Sequence, residues 1–259
     1  MANPLVRPHM HFLSEDAGDI LKESWQAEKW KDEVNAELSG PMVRQDGKDF
    51  FIEEPALANI EDVDGSTHVA PVIPMRWFMR EGKVWGKVHR LHEHPVEHAF
   101  IIDARSPCKE LPLTSFFNSY VELKTDHRFF GLPDPSKVVG MYSALCLVPW
   151  VLIRGTGIAR SGSWNRTDLQ IEPCFDIQVP SPLCALADGK RVLALPIWFY
   201  CDDTSGNLSK KWNKYNSLLF TLAGLPRALA SLAYNVHFLA TSNIASPLEM
   251  FDAIVNILR

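Results

Sequence analysis

The 259 residues are 46% hydrophobic, 22% charged and 10% aromatic, a globular balance that excludes wholesale disorder and is ample for one large domain or two modest ones. A net charge of −5 excludes a uniformly basic nucleic-acid coat. Residues 1–66 hold 15 acids and 6 bases, net −9, which leaves +4 for residues 67–259; any polyanion site is therefore a local patch on the second part.

Ser14 to Leu38 is expected to form a helix, because Ile20, Leu21, Trp25, Trp30, Val34 and Leu38 recur at intervals of about three to five and acids crowd the first turns. Gly40-Pro41 ends it. Asp49 to Ile60 reads as a strand followed by a short apolar turn, and the acidic run Glu61 to Ser66 as an exposed loop. A β-rich middle follows, with strands around Met75–Arg80, Val84–Arg90 and His98–Asp103, the first two joined at Arg80-Glu81-Gly82-Lys83. Residues 104–190 are broken by eight prolines and read as short irregular elements.

The last seventy residues carry the clearest pattern. Leu193 to Cys201 is an apolar strand ending at Asp202-Asp203, Asn216 to Ala223 a second strand closed by Gly224-Leu225-Pro226, and Tyr234 to Ala240 a third. Ser246-Pro247-Leu248-Glu249 supplies an N-cap, a proline at the first helical position and a capping-box glutamate for a terminal helix. The expected fold class is α+β. An acidic helical region (1–66) and a β-rich region (67–190) precede a strand–strand–strand–helix unit (191–259).

Three constellations could carry chemistry. Asp202-Asp203 places carboxylates at the end of the most apolar strand, where a hard cation takes oxygen ligands, although Asp also simply begins polar turns. Lys210, Lys211 and Lys214, interleaved with Trp212 and Tyr215, form the one dense basic–aromatic segment; it suits either phosphate contact with base stacking or a solvated loop. His89, His92, His94 and His98 lie close together, but their spacing lacks a zinc motif, and the expectation is no zinc. There is no P-loop, and Arg154-Gly155-Thr156-Gly157 holds only part of a dinucleotide fingerprint, so no nucleotide cofactor is expected. Five cysteines with no CxxC point to a reducing compartment. The N-terminus has no signal-peptide core, and the apolar stretch Met141 to Ile153 is too short to span a bilayer; the expectation is an intracellular protein without a membrane partner.

Residues 196–207 (PIWFYCDDTSGN), 218–226 (LLFTLAGLP) and 235–239 (NVHFL) resemble the start of the ribonuclease H-like catalytic core of CACTA, Plavaka and Kyakuja–Dileera–Zisupton transposases. The likeness covers about residues 190–259. It implies a transposon-derived, fungal-type protein in which Asp202 matches the first metal-binding acid and Asp203 its neighbour, with Mg2+ or Mn2+ as cofactor and DNA as partner. The second and third acids have no matching position up to Arg259, so the implied core is incomplete and its catalysis doubtful. A missing fourth strand would leave a sheet edge open to a protein partner. A transposase-like protein would be nuclear; otherwise the cytoplasm is expected. The alternative is a non-enzymatic interaction module, and a hydrolase using the His89–His98 region ranks third.

Overall fold

A computed structural model describes residues 4–62, 64–94, 98–103, 107–142, 177, 179–205 and 214–258. The chain is α+β, mostly strand with few and mainly short helices. It divides into two units: one of Met1–Gly40, Phe78–Gly82 and Leu193–Arg259, the other of Pro41–Trp77 and Lys83–Val192.

The long N-terminal helix expected over Ser14–Leu38 does not form. In its place are a two-residue strand β1 (Glu15–Asp16), a 3-10 turn at Ser24–Gln26, a single π turn at Lys29–Glu33 and the four-residue α1 (Ala36–Ser39). Tertiary contacts override the helical spacing here. β1 pairs in parallel with Met79 and Arg80, and Arg80 Nη2 donates to the Asp16 carboxylate at 2.7 Å. Gly18 then turns the chain with a φ of 68°. Trp25 and Trp30 are buried against Ala223, and the Trp25 ring stacks on His11 with centroids 4.0 Å apart. Of the remainder of the supposed apolar face, Ile20, Leu21 and Leu38 stay exposed and Val34 is half-buried.

In the second unit, β2 (Met42–Gln45) and β3 (Lys48–Phe51) form a hairpin whose two turn residues, Asp46 and Gly47, both have positive φ. That conformation matches the natural strand twist and favours Asp-Gly. β4 (Ala56–Glu61) and β5 (Thr67–Arg80) follow, joined by the acidic turn, in which Asp64 Oδ1 accepts from both the N–H and the hydroxyl of Ser66. A second two-residue turn with positive φ, Glu81-Gly82, leads into β6 (Lys83–Glu93), so the hairpin at the expected place has longer arms than expected. β7 (Phe100–Asp103) starts two residues late, because His98 sits in the left-handed region at φ 47°.

Next come β8 (Lys109–Pro112), β9 (Phe116–Asn118), α2 (Tyr120–Asp126), β10 (Val138–Tyr142) and α3 (Pro182–Ala187). The strands are ordered β10-β7-β6-β5-β4-β9, with β8 pairing alongside β6. Ile73, Leu91, Phe100 and Ile102 form a fully buried core cluster, and Trp77 and Phe50 each meet Phe116 edge-on.

The C-terminal part of the first unit holds β11 (Ile197–Ser205), β12 (Lys214–Leu222), α4 (Arg227–Ala230), β13 (His237–Ser242) and α5 (Pro247–Leu258). The three strands form one antiparallel sheet in the order β11-β12-β13. α5 starts as its cap residues dictate: the Ser246 N–H donates to Glu249 Oε2 at 2.8 Å, and the Glu249 N–H returns to Ser246 Oγ. A Cβ on Gly224 would run into the backbone carbonyl of His11, whose own N–H donates to the Gly224 carbonyl at 2.8 Å; only glycine lets residues 10–12 approach the sheet here. No helix among the described residues is long and apolar enough to cross a membrane.

Candidate functional site

The register of β11, β12 and β13 sorts their side chains onto two faces. Phe199, Phe220 and His237 share one face, with Ile197 and Leu222 beside them. That face is partly covered: the Phe251 ring of α5 meets Phe199 edge-on at 5.3 Å, and Ile197 packs against the cluster of Met10, Leu222 and Leu225, while His237 stays exposed. The other face carries the rows Tyr200–Leu219–Phe238 and Asp202–Ser217–Thr241, with Trp198 next to Thr221. On it Trp198 is 53% exposed, Tyr200 39% and Phe238 61%. Three aromatic rings thus stand in solvent on one side of a rigid ladder, while the polar row beside them is knit by a 3.2 Å hydrogen bond between the hydroxyls of Ser217 and Thr241.

Asp202 lies on this open face and is exposed, but it does not end its strand. β11 runs on to Ser205, with Asp202 opposite Ser217 and Asp203 opposite Asn216. The ladder continues because Asn216 and Tyr215 extend β12 just as far, and the Asn216 side-chain amide is anchored by the carbonyl of Ala245 at 3.1 Å. Among the described residues no three His, Cys, Asp or Glu side chains gather so as to hold a metal ion. A resident Mg2+ or Mn2+ needs several converging oxygens, of which an Asp202 carboxylate could supply one.

Of the basic–aromatic segment, Lys214 and Tyr215 open β12 opposite Ser205 and Thr204. Lys210, Lys211 and Trp212 lie outside the described residues. The four neighbouring histidines take different partners: His89 Nε2 lies 3.1 Å from the Cys108 sulfur, His98 Nδ1 lies 3.1 Å from Glu93 Oε1, His92 stands opposite Ile101 in the β6–β7 ladder, and the His94 backbone N–H donates to the Ala99 carbonyl at 2.7 Å.

One cluster escaped the sequence reading. Glu54, 3% exposed in the turn after β3, accepts the Ser181 N–H at 2.9 Å and a hydrogen bond from the Cys184 thiol. Burial raises its carboxyl to about 7 against the stabilising pull of those donors. Burial first, and the Glu54 charge second, also push the Cys184 thiol and the Tyr120 phenol upward. The Tyr120 hydroxyl is buried with no hydrogen-bond partner among the described residues. A raised thiol is a poor nucleophile, so this group reads as a protonation-sensitive structural knot of the second unit. The sequence carries no local signal for it, since Glu53-Glu54 reads like any solvated acidic pair.

Residues 42–193 match the family described as Domain of unknown function (DUF8591), and with more than half its length so matched the chain belongs to that family. The matched stretch coincides almost residue for residue with the second unit and its Glu54 cluster. Residues 196–239, on which the sequence expectation of a transposase-like core rests, lie C-terminal to it. No curated protein and no solved structure matches the chain.

Proposed function

We propose that the chain is a transposon-derived protein whose C-terminal unit binds nucleic acid without completing a strand-cleavage site. The observation that carries this reading is the row of exposed rings Trp198, Tyr200 and Phe238 on one face of the β11–β13 sheet. Flat aromatic surfaces on a sheet stack unpaired bases with little regard to sequence, each worth about 1–3 kcal/mol. Lys214 at the start of β12, and Lys210 and Lys211 just before it in sequence, supply the cations that phosphates require. The order β11-β12-β13-α5 supports reading the unit as the opening of a ribonuclease H-like core, with Asp202 in the place of its first acid. No metal-dependent step is assigned to it, because among the described residues no three His, Cys, Asp or Glu side chains gather as a metal site.

The test is titration of the full chain with labelled single-stranded DNA at several salt concentrations. Binding that weakens linearly in log–log form with salt, and that drops about tenfold or more in Trp198→Ala, is the expected result. Absence of binding at low salt overturns this reading. It would leave a protein-interaction module, a reading favoured by the exposed Ile244, Leu248 and Ile257 around α5.

A further inference from the structure

Glu54 and its partners belong to parts of the second unit that are held very differently. On the Glu54 side, the Ile52 N–H donates to the Pro41 carbonyl at 3.0 Å and the Glu53 N–H to the Pro74 carbonyl at 2.7 Å, and Ile52 is almost fully buried. On the other side, α3 is a six-residue helix in which Ala187 alone is fully buried. It docks by packing Leu183, Cys184 and Ala187 with Met42 and Phe51, and by giving the Ser181 N–H and the Cys184 thiol to Glu54. Asp188 and Gly189 follow at once with φ of 48° and 72°. Beyond that bend the chain is pinned again: the Gly189 carbonyl accepts from Arg44 Nη2 at 3.2 Å, and the Val192 N–H meets the Met42 sulfur at 3.0 Å. A short helix between a sharp bend and a polar anchor swings without disturbing a ladder.

We propose that α3 is a pH-operated latch: it is docked while Glu54 holds a proton, and loss of that proton frees Ser181 to Ala187 and uncovers Cys184. A neutral carboxyl keeps an oxygen for the Ser181 N–H, so the docked state survives protonation. An ionised one is opposed by burial, because a residue only 3% exposed gives up most of its hydration in return for two donors. Among the described residues, the ionisable groups that act on the cluster are acidic from each element packed on it: Asp49 of β3, Tyr120 of α2, Cys184 of α3 itself, and Asp134 beyond Tyr120. Arg44 of β2 is engaged with Asp49 at 2.7 Å. The swing returns Glu54 to water, where its ordinary value of 4.5 applies, against about 7 when docked. Docking is therefore fully supported below the free value and weakens as pH rises through the docked one.

The latch joins this ionisation to the thiol of Cys184. Docked, the thiol is pushed up by burial first and by the Glu54 charge second. Undocking removes the first cause and weakens the second, so the sulfur becomes both accessible and easier to ionise. The segment that carries the family likeness, 42–193, thus holds its own response to a rise in pH across neutrality, and it operates whether or not the chain binds nucleic acid.

The test is amide hydrogen exchange of the full chain from pH 5 to pH 8, under conditions where closing outruns exchange, together with iodoacetamide labelling of Cys184 followed by peptide mass. Exchange is catalysed by hydroxide, so an opening indifferent to pH gives log rate against pH a slope of about one. An opening that also releases the Glu54 proton brings the Ser181 slope to about two near pH 6 and back to about one by pH 8, with the open population rising about 50-fold or more across the range. Cys184 alkylation is expected to follow the same curve. Glu54→Gln keeps an oxygen for the Ser181 N–H and never ionises, so its slope stays at about one and Cys184 remains slow at pH 8; circular dichroism checks its fold. The α3 amides are expected to exchange faster than those of Leu91 and Ile102 in the β6–β7 ladder at every pH. A wild-type slope of one overturns the proposal, whatever the variant does. A slope of two retained in Glu54→Gln also overturns it, as does α3 exchanging only in step with that ladder, which is unfolding of the whole unit.

Discussion

The backbone N–H of Ser181, at the cap of α3, donates at 2.9 Å to a carboxylate oxygen of Glu54, a residue 127 positions earlier in the chain. Both residues are buried, so the contact fixes the end of the DUF8591 segment to its beginning through a group that changes charge near neutrality.

That charge change gives the stability of the chain a definite pH dependence. Glu54 has a folded value of about 7, above its ordinary 4.5, so the folded state holds a proton that the unfolded state has already lost. The contribution is fully present below the unfolded value and lost as pH rises through the folded one. Unfolding by urea should show a loss of about 2 kcal/mol between roughly pH 5 and pH 8, and Glu54→Gln should flatten this slope. A wild-type profile that rises across this window would contradict the assignment.

Gly86 lies in β6 directly against Trp77. A Cβ there would sit 2.6 Å from Trp77 Cζ3 and 3.3 Å from the Phe116 ring. Trp77 is almost fully buried and has no room to retreat. Gly86→Ala should therefore destabilise the chain by about 1–3 kcal/mol, read as a lowered denaturation midpoint, despite the better strand propensity of alanine.

The Asp16–Arg80 pair is expected to respond to acid in the opposite sense from Glu54. The Arg80 side chain, hydrogen-bonded to Asp16, holds that carboxyl below its ordinary value. Its stabilisation is present above the unfolded carboxylate range and disappears as pH falls through the folded value. Asp16→Asn should cost about 1 kcal/mol at neutral pH, and the gap from wild type should close in acid.

If the nucleic-acid reading holds, Lys210→Ala and Lys211→Ala should each reduce the slope of log affinity against log salt by about one, uniformly across DNA sequences. Trp198→Ala should lower affinity and leave that slope unchanged. Equal slopes in wild type and the lysine variants would remove these side chains from the phosphate contacts.

The C-terminal unit was legible because its signals are local. Ser246, Pro247 and Glu249 spell out a helix start, and the three apolar runs have the length and spacing of neighbouring antiparallel strands. The turn at Glu81-Gly82 was read from the same kind of signal, whereas the equally plain Asp46-Gly47 turn was overlooked. Where long-range contacts decide, the sequence misled: Trp25 and Trp30 imitate a helical stripe but serve contacts with Ala223, nearly two hundred residues away. Asp202-Asp203 looked like a strand end because aspartate favours turns; the partner residues of β12 carry the ladder past it. Glu54 was invisible because nothing in a single sequence separates a buried carboxylate from a solvated one.

The division of the chain also orders its synthesis. Residues 1–40 are made before the family segment, yet Met10, Trp25 and Trp30 find their neighbours in residues 222–225, which are made after it. The family segment between them can fold in the interval, while the N-terminal indoles stay without their native burial until β12 is made. A nascent chain stalled after Val192 would thus carry a folded β-rich unit and, ahead of it, Met10, Trp25 and Trp30 without their native neighbours, the state in which a chaperone has most to hold.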